Sequence, residues 1–147
     1  MSIVQFILRV IDSGVLLEEM LYLDESGASP ELIVAKENQL SIKLDESYKR
    51  LLEQWNGVNL DVVRINSIQN IFLDEEFTGK IVIGSDPSGF IYLQSSDAGI
   101  ESLDSDGGEL RKIATNFDDF ICNYIFGERA MEFAGNEWVR ELHEAGM

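Results

Sequence analysis

Residues 44–57 read LDESYKRLLEQWNG, and this stretch says most about the fold. Its apolar positions recur at the spacing of one helix face: they are Leu44, Tyr48, Leu51, Leu52 and Trp55. On the outside, Glu46–Arg50 and Lys49–Glu53 are available as ion pairs four residues apart. The segment therefore predicts a helix with Tyr48 and Trp55 as core anchors.

The residues around this helix predict two further helical segments. Asn56-Gly57 predicts the end of the first helix, because glycine adopts the left-handed cap conformation without penalty. Upstream, Pro30 follows a run of small residues and suits the first turn of a second helix. Residues 2–23 predict a helical start that packs on the domain. Polar residues interrupt their apolar run, and no stretch reaches the ~20 apolar residues of a membrane span, so we expect neither a signal peptide nor a membrane helix.

Between residues 62 and 113 the pattern changes to short β-prone runs separated by turn residues. These runs are residues 62–65, 80–83, 90–93 and 109–113. Asp86-Pro87-Ser88-Gly89 is typical of a hairpin connection, since proline presets one backbone angle and glycine is free to adopt a positive one. The region predicts an antiparallel meander.

Two more helices are expected after the sheet. Thr115 begins a helix whose apolar stripe should cover the sheet; the stripe consists of Phe117, Phe120, Ile121, Tyr124 and Ile125. Gly127 is expected to end it. A last helix should carry Met131, Ala134, Trp138 and Leu142, although Gly135 argues against its continuity. The sequence thus predicts one α+β domain over residues 1–147, a mostly antiparallel sheet packed with N-terminal and C-terminal helices.

The charge of the chain limits its partners. Its 147 residues include 11 Lys and Arg against 27 Asp and Glu, a formal net charge of −16. Such a chain is not attracted to nucleic-acid phosphates or anionic lipid, so we expect no direct nucleic-acid or membrane binding and favour a basic protein as partner. Residues 100–147 hold 11 acids against 4 bases. The acids predicted to contact the partner are Asp104, Asp106, Glu109, Asp118 and Asp119.

Few residues are suited to catalysis. The only histidine, His143, lies near the C-terminus, where an exposed residue at a helix end is the simpler interpretation. The only cysteine, Cys122, lies beside an apolar stripe and is interpreted as a small buried hydrophobe in a reducing cytoplasm. Neither a zinc ligand set nor a phosphate-binding glycine loop is present. We expect a binding protein without metal or cofactor; a carboxylate-based enzyme stays as a third alternative, because a pair of acids assembled by the fold is invisible in one sequence.

The order of the motifs supports a family resemblance. A helix from Leu44 to Leu52 leads to Trp55-Asn56-Gly57, a strand at 81–86 leads through Gly89 to Ile91-Tyr92, and Phe117-Asp118-Asp119-Phe120-Ile121 follows. This order resembles the SUKH superfamily, which includes bacterial immunity proteins and a yeast glucan-synthesis regulator. In that group a leucine-proline-x-x-tyrosine helix closes with asparagine-glycine, a glycine-bearing hairpin follows, and a phenylalanine-rich helix comes last.

The resemblance covers about residues 30–126 and has two departures. Asp45 stands where the family usually has proline, and residues 128–147 extend beyond the usual final helix. The resemblance implies an α+β domain and, in bacteria, an immunity protein that binds and blocks a cognate polymorphic toxin, often a nuclease. The alternative is a regulatory or scaffold module resembling the yeast branch.

Overall fold

Four α-helices and one π-helix form in the computed structural model, which describes all 147 residues. They are α1 (Ile3–Ser13), α2 (Pro30–Leu40), α3 (Glu46–Gln54), the π-helix (Asp119–Ile125) and α4 (Ala130–Glu144). Two short 3-10 turns, Glu18–Met20 and Ile68–Asn70, lie in the connections. The predicted start at Pro30 is confirmed, with Ser29 as the N-cap that accepts a hydrogen bond from the Leu32 amide.

Eight strands form one antiparallel sheet. They are β1 (Leu21–Leu23), β2 (Val58–Leu60), β3 (Arg64–Ile65), β4 (Phe72–Leu73), β5 (Ile81–Ser85), β6 (Phe90–Gln94), β7 (Ile100–Asp104) and β8 (Arg111–Ala114). The spatial order is β1-β2-β3-β5-β6-β7-β8, and β4 also pairs with β5. Strands β5 to β8 form the predicted meander, which confirms the α+β class.

The core lies between one face of the sheet and the helices. Tyr48 on α3 is fully buried and stacks on Phe117, with ring centroids 5.1 Å apart. Phe120 on the π-helix packs against Tyr92 of β6, with ring centroids 4.8 Å apart. Trp55 is only 4% exposed, so its predicted place in the core is confirmed. Burial of these large rings, rather than helix propensity, holds the short helices on the sheet.

The N-terminal prediction was partly wrong. Residues 2–23 do not form one helix: α1 ends at Ser13, Gly14 follows with φ 78°, and β1 adds an edge strand to the sheet. Leu16, Leu17, Met20 and Leu21 have helical spacing, which made the segment resemble a helix. Gly14 prevents that continuation because it takes the left-handed cap conformation.

The first predicted strand, residues 62–65, was misplaced. Val58–Leu60 and Arg64–Ile65 form a hairpin, and Asp61 lies in its turn with φ 67°. The Asn59 side chain stabilises this turn by accepting a hydrogen bond from the Asp61 amide at 3.0 Å. Likewise the last strand covers 111–114 rather than 109–113, and β7 is a strand for which no boundaries were predicted.

The end of α3 and its ion pairs also differ from expectation. Helix α3 stops at Gln54 with Trp55 in an extended conformation, so Asn56-Gly57 is not its cap. The Asn56 side chain instead accepts a hydrogen bond from the Ile68 amide at 2.8 Å. Lys49 pairs with Glu46 at 3.0 Å and with the buried Glu37 at 3.5 Å, not with Glu53.

The C-terminal helices are less regular than predicted. The α-helix expected between Thr115 and Gly127 is instead a π-helix over Asp119–Ile125, in which the Phe126 amide donates to the Ile121 carbonyl five residues earlier. In α4 the doubt about continuity is confirmed: Gly135 has φ 86° and ψ −174°, which kinks the helix.

Candidate partner-binding surface

Three of the predicted contact acids lie around the turn between β7 and β8. Asp106 and Glu109 are exposed, and neither forms an ion pair. Asp104 is half-buried, and its Oδ1 accepts a hydrogen bond from the Asp106 amide at 2.9 Å, so it shapes the turn. Two exposed carboxylates, Asp106 and Glu109, therefore remain available at this end of the sheet.

The other two predicted acids follow the opposite end of β8. Because β8 runs from Arg111 to Ala114, about 10 Å of strand separates the two groups along the chain. Asp118 is exposed. Asp119 accepts hydrogen bonds from the Thr115 amide at 3.0 Å and from Asn123 Nδ2 at 2.9 Å, and these bonds hold the pKa of its carboxyl below the ordinary value. Asp119 thus organises the start of the π-helix.

Ion pairs neutralise part of the C-terminal charge. Glu132 lies 2.8 Å from Arg129, and Arg140 pairs with both Glu137 and Glu144. By contrast, none of the ion pairs of the molecule involves an acid between residues 10 and 35. That region contains no Lys or Arg at all. The acids of residues 10–35 are therefore not compensated by ion pairs, and the lack of bases there is visible in the sequence.

The same side exposes large apolar side chains. Leu17 is 57% exposed, Met20 45% and Tyr22 65%. They stand beside the exposed Glu18 and Glu19, and β1, which carries Tyr22, is an edge strand of the sheet. Aromatic residues and methionine are enriched where proteins bind one another, so this edge is a candidate contact surface that the sequence prediction missed.

Next to Leu17 is an open hollow of about 540 Å³. The connection after α1 forms one wall, the β2–β3 turn a second, and the C-terminal half of α4 a third. Asp61 joins two of these walls, since its Oδ2 accepts a hydrogen bond from the Leu17 amide at 3.1 Å. The exposed leucine is thereby held at the mouth of the hollow.

The side chains of Cys122 and His143, the one cysteine and the one histidine, form no hydrogen bond with each other. Burial, with a smaller contribution from the charge of Asp118, raises the pKa of the Cys122 thiol to about 11, so the thiolate is scarce at neutral pH. Cys122 is partly buried and packs against the core, while His143 is exposed on α4. The side chains of the chain form no group of three or more His, Cys, Asp and Glu placed to hold a metal ion. No helix is both long and apolar enough to cross a membrane.

Residues 27–123, about two-thirds of the chain, match the sequence model of the SMI1 / KNR4 family (SUKH-1). The chain belongs to this family. The matched SUKH-1 region begins just before α2 and ends within the π-helix, so it contains α2, α3 and strands β2 to β8. Among curated proteins, none matches the chain significantly.

Membership of the SUKH-1 family supports a protein-interaction or immunity-type role in general. The matched range leaves out α1, β1 and α4. Of the three walls of the hollow beside Leu17, two therefore come from segments outside the shared SUKH-1 region. The third wall, the β2–β3 turn, belongs to that region.

Proposed function

We propose that this protein is a cytoplasmic immunity protein that binds a cognate toxin domain with a basic surface and blocks it without catalysis. The main support for this proposal is the surface charge, because most of the 27 acids are exposed and the net charge is −16. A surface of this sign accelerates encounter with a basic domain such as a nuclease. It also competes with the phosphate groups that a nuclease surface attracts.

The exposed acids that carry no ion pair are the candidates for steering. Asp106, Glu109 and Asp118 meet this description among the five predicted acids. Charges at the rim of an interface mainly change the association rate, whereas charges desolvated at its centre change dissociation. Asp104 and Asp119 each hold local structure, so their contribution to binding is harder to separate from stability.

Co-expression with the toxin encoded by the neighbouring gene tests this proposal. We expect the wild-type chain to restore growth, because the complex blocks the toxin. A variant with Lys at 106, 109 and 118 changes the net charge by +6, from −16 to −10, and should protect less well while keeping its fold. In a matched control, Lys replaces the exposed Glu53, Glu75 and Glu76, which changes the net charge by the same amount at other positions.

Two results would count against the proposal. If wild-type chain neither binds the toxin nor restores growth, the immunity role is wrong. If no toxin gene adjoins this one, the regulatory or scaffold role of the yeast branch becomes the better hypothesis. Equal protection by the two charge variants would instead remove Asp106, Glu109 and Asp118 from the binding surface.

A further inference from the structure

We propose that the hollow beside Leu17 receives a lysine or arginine side chain from the protein partner, with Leu17 and Met20 as apolar contacts around it. This inference rests on the proposed function and names the surface that performs it. None of the acids at residues 104–119 lines this hollow, which is built largely from segments outside the family match.

The walls of the hollow suit the stem of a long basic side chain. They include Val15, Leu17, Val62 and Trp138. The Trp138 ring is held in place, because its Nε1 donates a hydrogen bond to the Ile125 carbonyl at 2.7 Å. Lysine and arginine bury their methylene stems along such apolar surface while their charged heads stay at a polar rim.

The rim of the hollow carries carboxylates and no base. Asp61, Glu141 and Glu144 line it, and no Lys or Arg does. Glu144 is already paired with Arg140 at 2.8 Å, whereas Asp61 and Glu141 form no ion pair. A cationic head placed there meets two carboxylates that form no ion pair, and an anionic head is repelled. The charge therefore selects a basic occupant.

The exposed residues nearby extend the contact beyond one side chain. Leu17 stands at the mouth, and Met20 lines a second hollow of about 320 Å³ that also includes Asp61 and Arg64. Asp61 thus lies between the two hollows. An apolar centre with a polar rim is the usual arrangement of a protein–protein interface.

Another apolar hollow lies between the end of the π-helix and α4, and its lining can be compared with that of the hollow beside Leu17. Its lining carries a single side-chain carboxylate, that of Glu128, whereas three carboxylates line the hollow beside Leu17. Glu128 nevertheless makes a matched control for Glu141. Both are exposed, neither forms an ion pair, and both lie outside the family match.

Binding kinetics with the catalytically inactivated toxin domain test the proposal. Glu141→Lys places a competing cation at the hollow and should speed dissociation roughly tenfold, which corresponds to about 1.4 kcal/mol of binding free energy. Leu17→Ser should do the same by removing the apolar contact. The controls Glu128→Lys and Leu32→Ser, the latter at a leucine 49% exposed on α2, should change dissociation less than about threefold.

An oligo-arginine peptide gives a second probe that needs no knowledge of the partner. Titrated into isotope-labelled protein, it should shift the NMR signals of Val15, Leu17, Val62 and the Trp138 indole most, and Glu141→Lys should abolish those shifts. Wild-type kinetics for both hollow variants would overturn the docking site but leave the immunity role standing. Failure of wild-type chain to bind the toxin would overturn the immunity role, and the peptide result would still decide whether the hollow accepts a basic side chain. If the largest shifts fell at residues 104–119 instead, the hollow would not be the site that accepts a basic side chain.

Discussion

Replacement of Asp45 by proline, the residue usual in the family, is expected to destabilise this protein. Asp45 has φ −58°, which proline tolerates, but its side chain and its amide both form hydrogen bonds that proline would lack. The Oδ1 atom accepts a hydrogen bond from the Ser47 amide at 2.8 Å, and the Asp45 amide donates to Gln94 Oε1 at 3.0 Å. Gln94 is fully buried.

The magnitude follows from these two bonds. Loss of the N-cap costs about 1 kcal/mol. Loss of the amide leaves the buried Gln94 oxygen without that donor, which costs about 1–3 kcal/mol. Proline regains about 0.4–1 kcal/mol by restricting the unfolded chain. The net expected loss for Asp45→Pro is therefore about 1–3 kcal/mol.

Urea unfolding of three variants separates the contributions. Asp45→Asn keeps both bonds and should unfold close to wild type, while Asp45→Ala should lose only the cap, about 1 kcal/mol. Asp45→Pro should be the least stable of the three. If it were as stable as Asp45→Ala, the bond from the Asp45 amide to Gln94 would contribute no more than the about 0.4–1 kcal/mol that proline regains, less than the about 1–3 kcal/mol expected, and the reasoning would be refuted.

Three further predictions concern stability and reactivity. Trp55→Ala should lower the free energy of unfolding by about 3–5 kcal/mol, because it opens a large cavity at a residue 4% exposed; an unchanged denaturation midpoint would contradict its core role. The pKa of Asp119 is lowered in the folded protein, so its contribution to stability is present above its unfolded pKa near 4 and is lost as the pH falls towards the lowered folded value. Asp119→Asn should therefore flatten that part of the curve of unfolding free energy against pH. Because the pKa of Cys122 is raised to about 11, iodoacetamide at neutral pH should modify it much more slowly in folded than in urea-unfolded protein, and equal rates would show an accessible thiolate.

The parts of the fold that the sequence predicts well have a strong local pattern. Tyr48 and Trp55 recur on one helical face and are buried, and the Asp86–Gly89 turn joins β5 to β6 as expected. In both cases residues adjacent in sequence create the structure. Periodicity and turn chemistry are therefore enough to find it.

The features that sequence reasoning missed depend on contacts between distant segments. Edge strand β1 exists because Leu21–Leu23 pairs with Val58–Leu60, a partner that the helix-like spacing of the segment conceals. The π-helix has the same apolar stripe as an α-helix over so few residues, so its wider hydrogen bonding is not visible in the pattern.

The hollow beside Leu17 was missed for the same reason. It brings together Val15, Asp61 and Trp138, which are remote in the chain. The absence of bases between Arg9 and Lys36 is the one sequence signal that points to this side of the molecule.

The central claim, binding of a basic toxin domain, is tested most directly by the salt dependence of association in stopped flow. The Debye length shrinks from about 30 Å at 0.01 M salt to about 8 Å at 0.15 M, so electrostatic steering weakens over this range. We predict that the association rate constant of wild-type chain with the neighbouring-gene toxin domain falls at least tenfold, while the dissociation rate constant changes much less. An association rate that does not depend on salt, or the lack of any complex at low salt, would contradict the account.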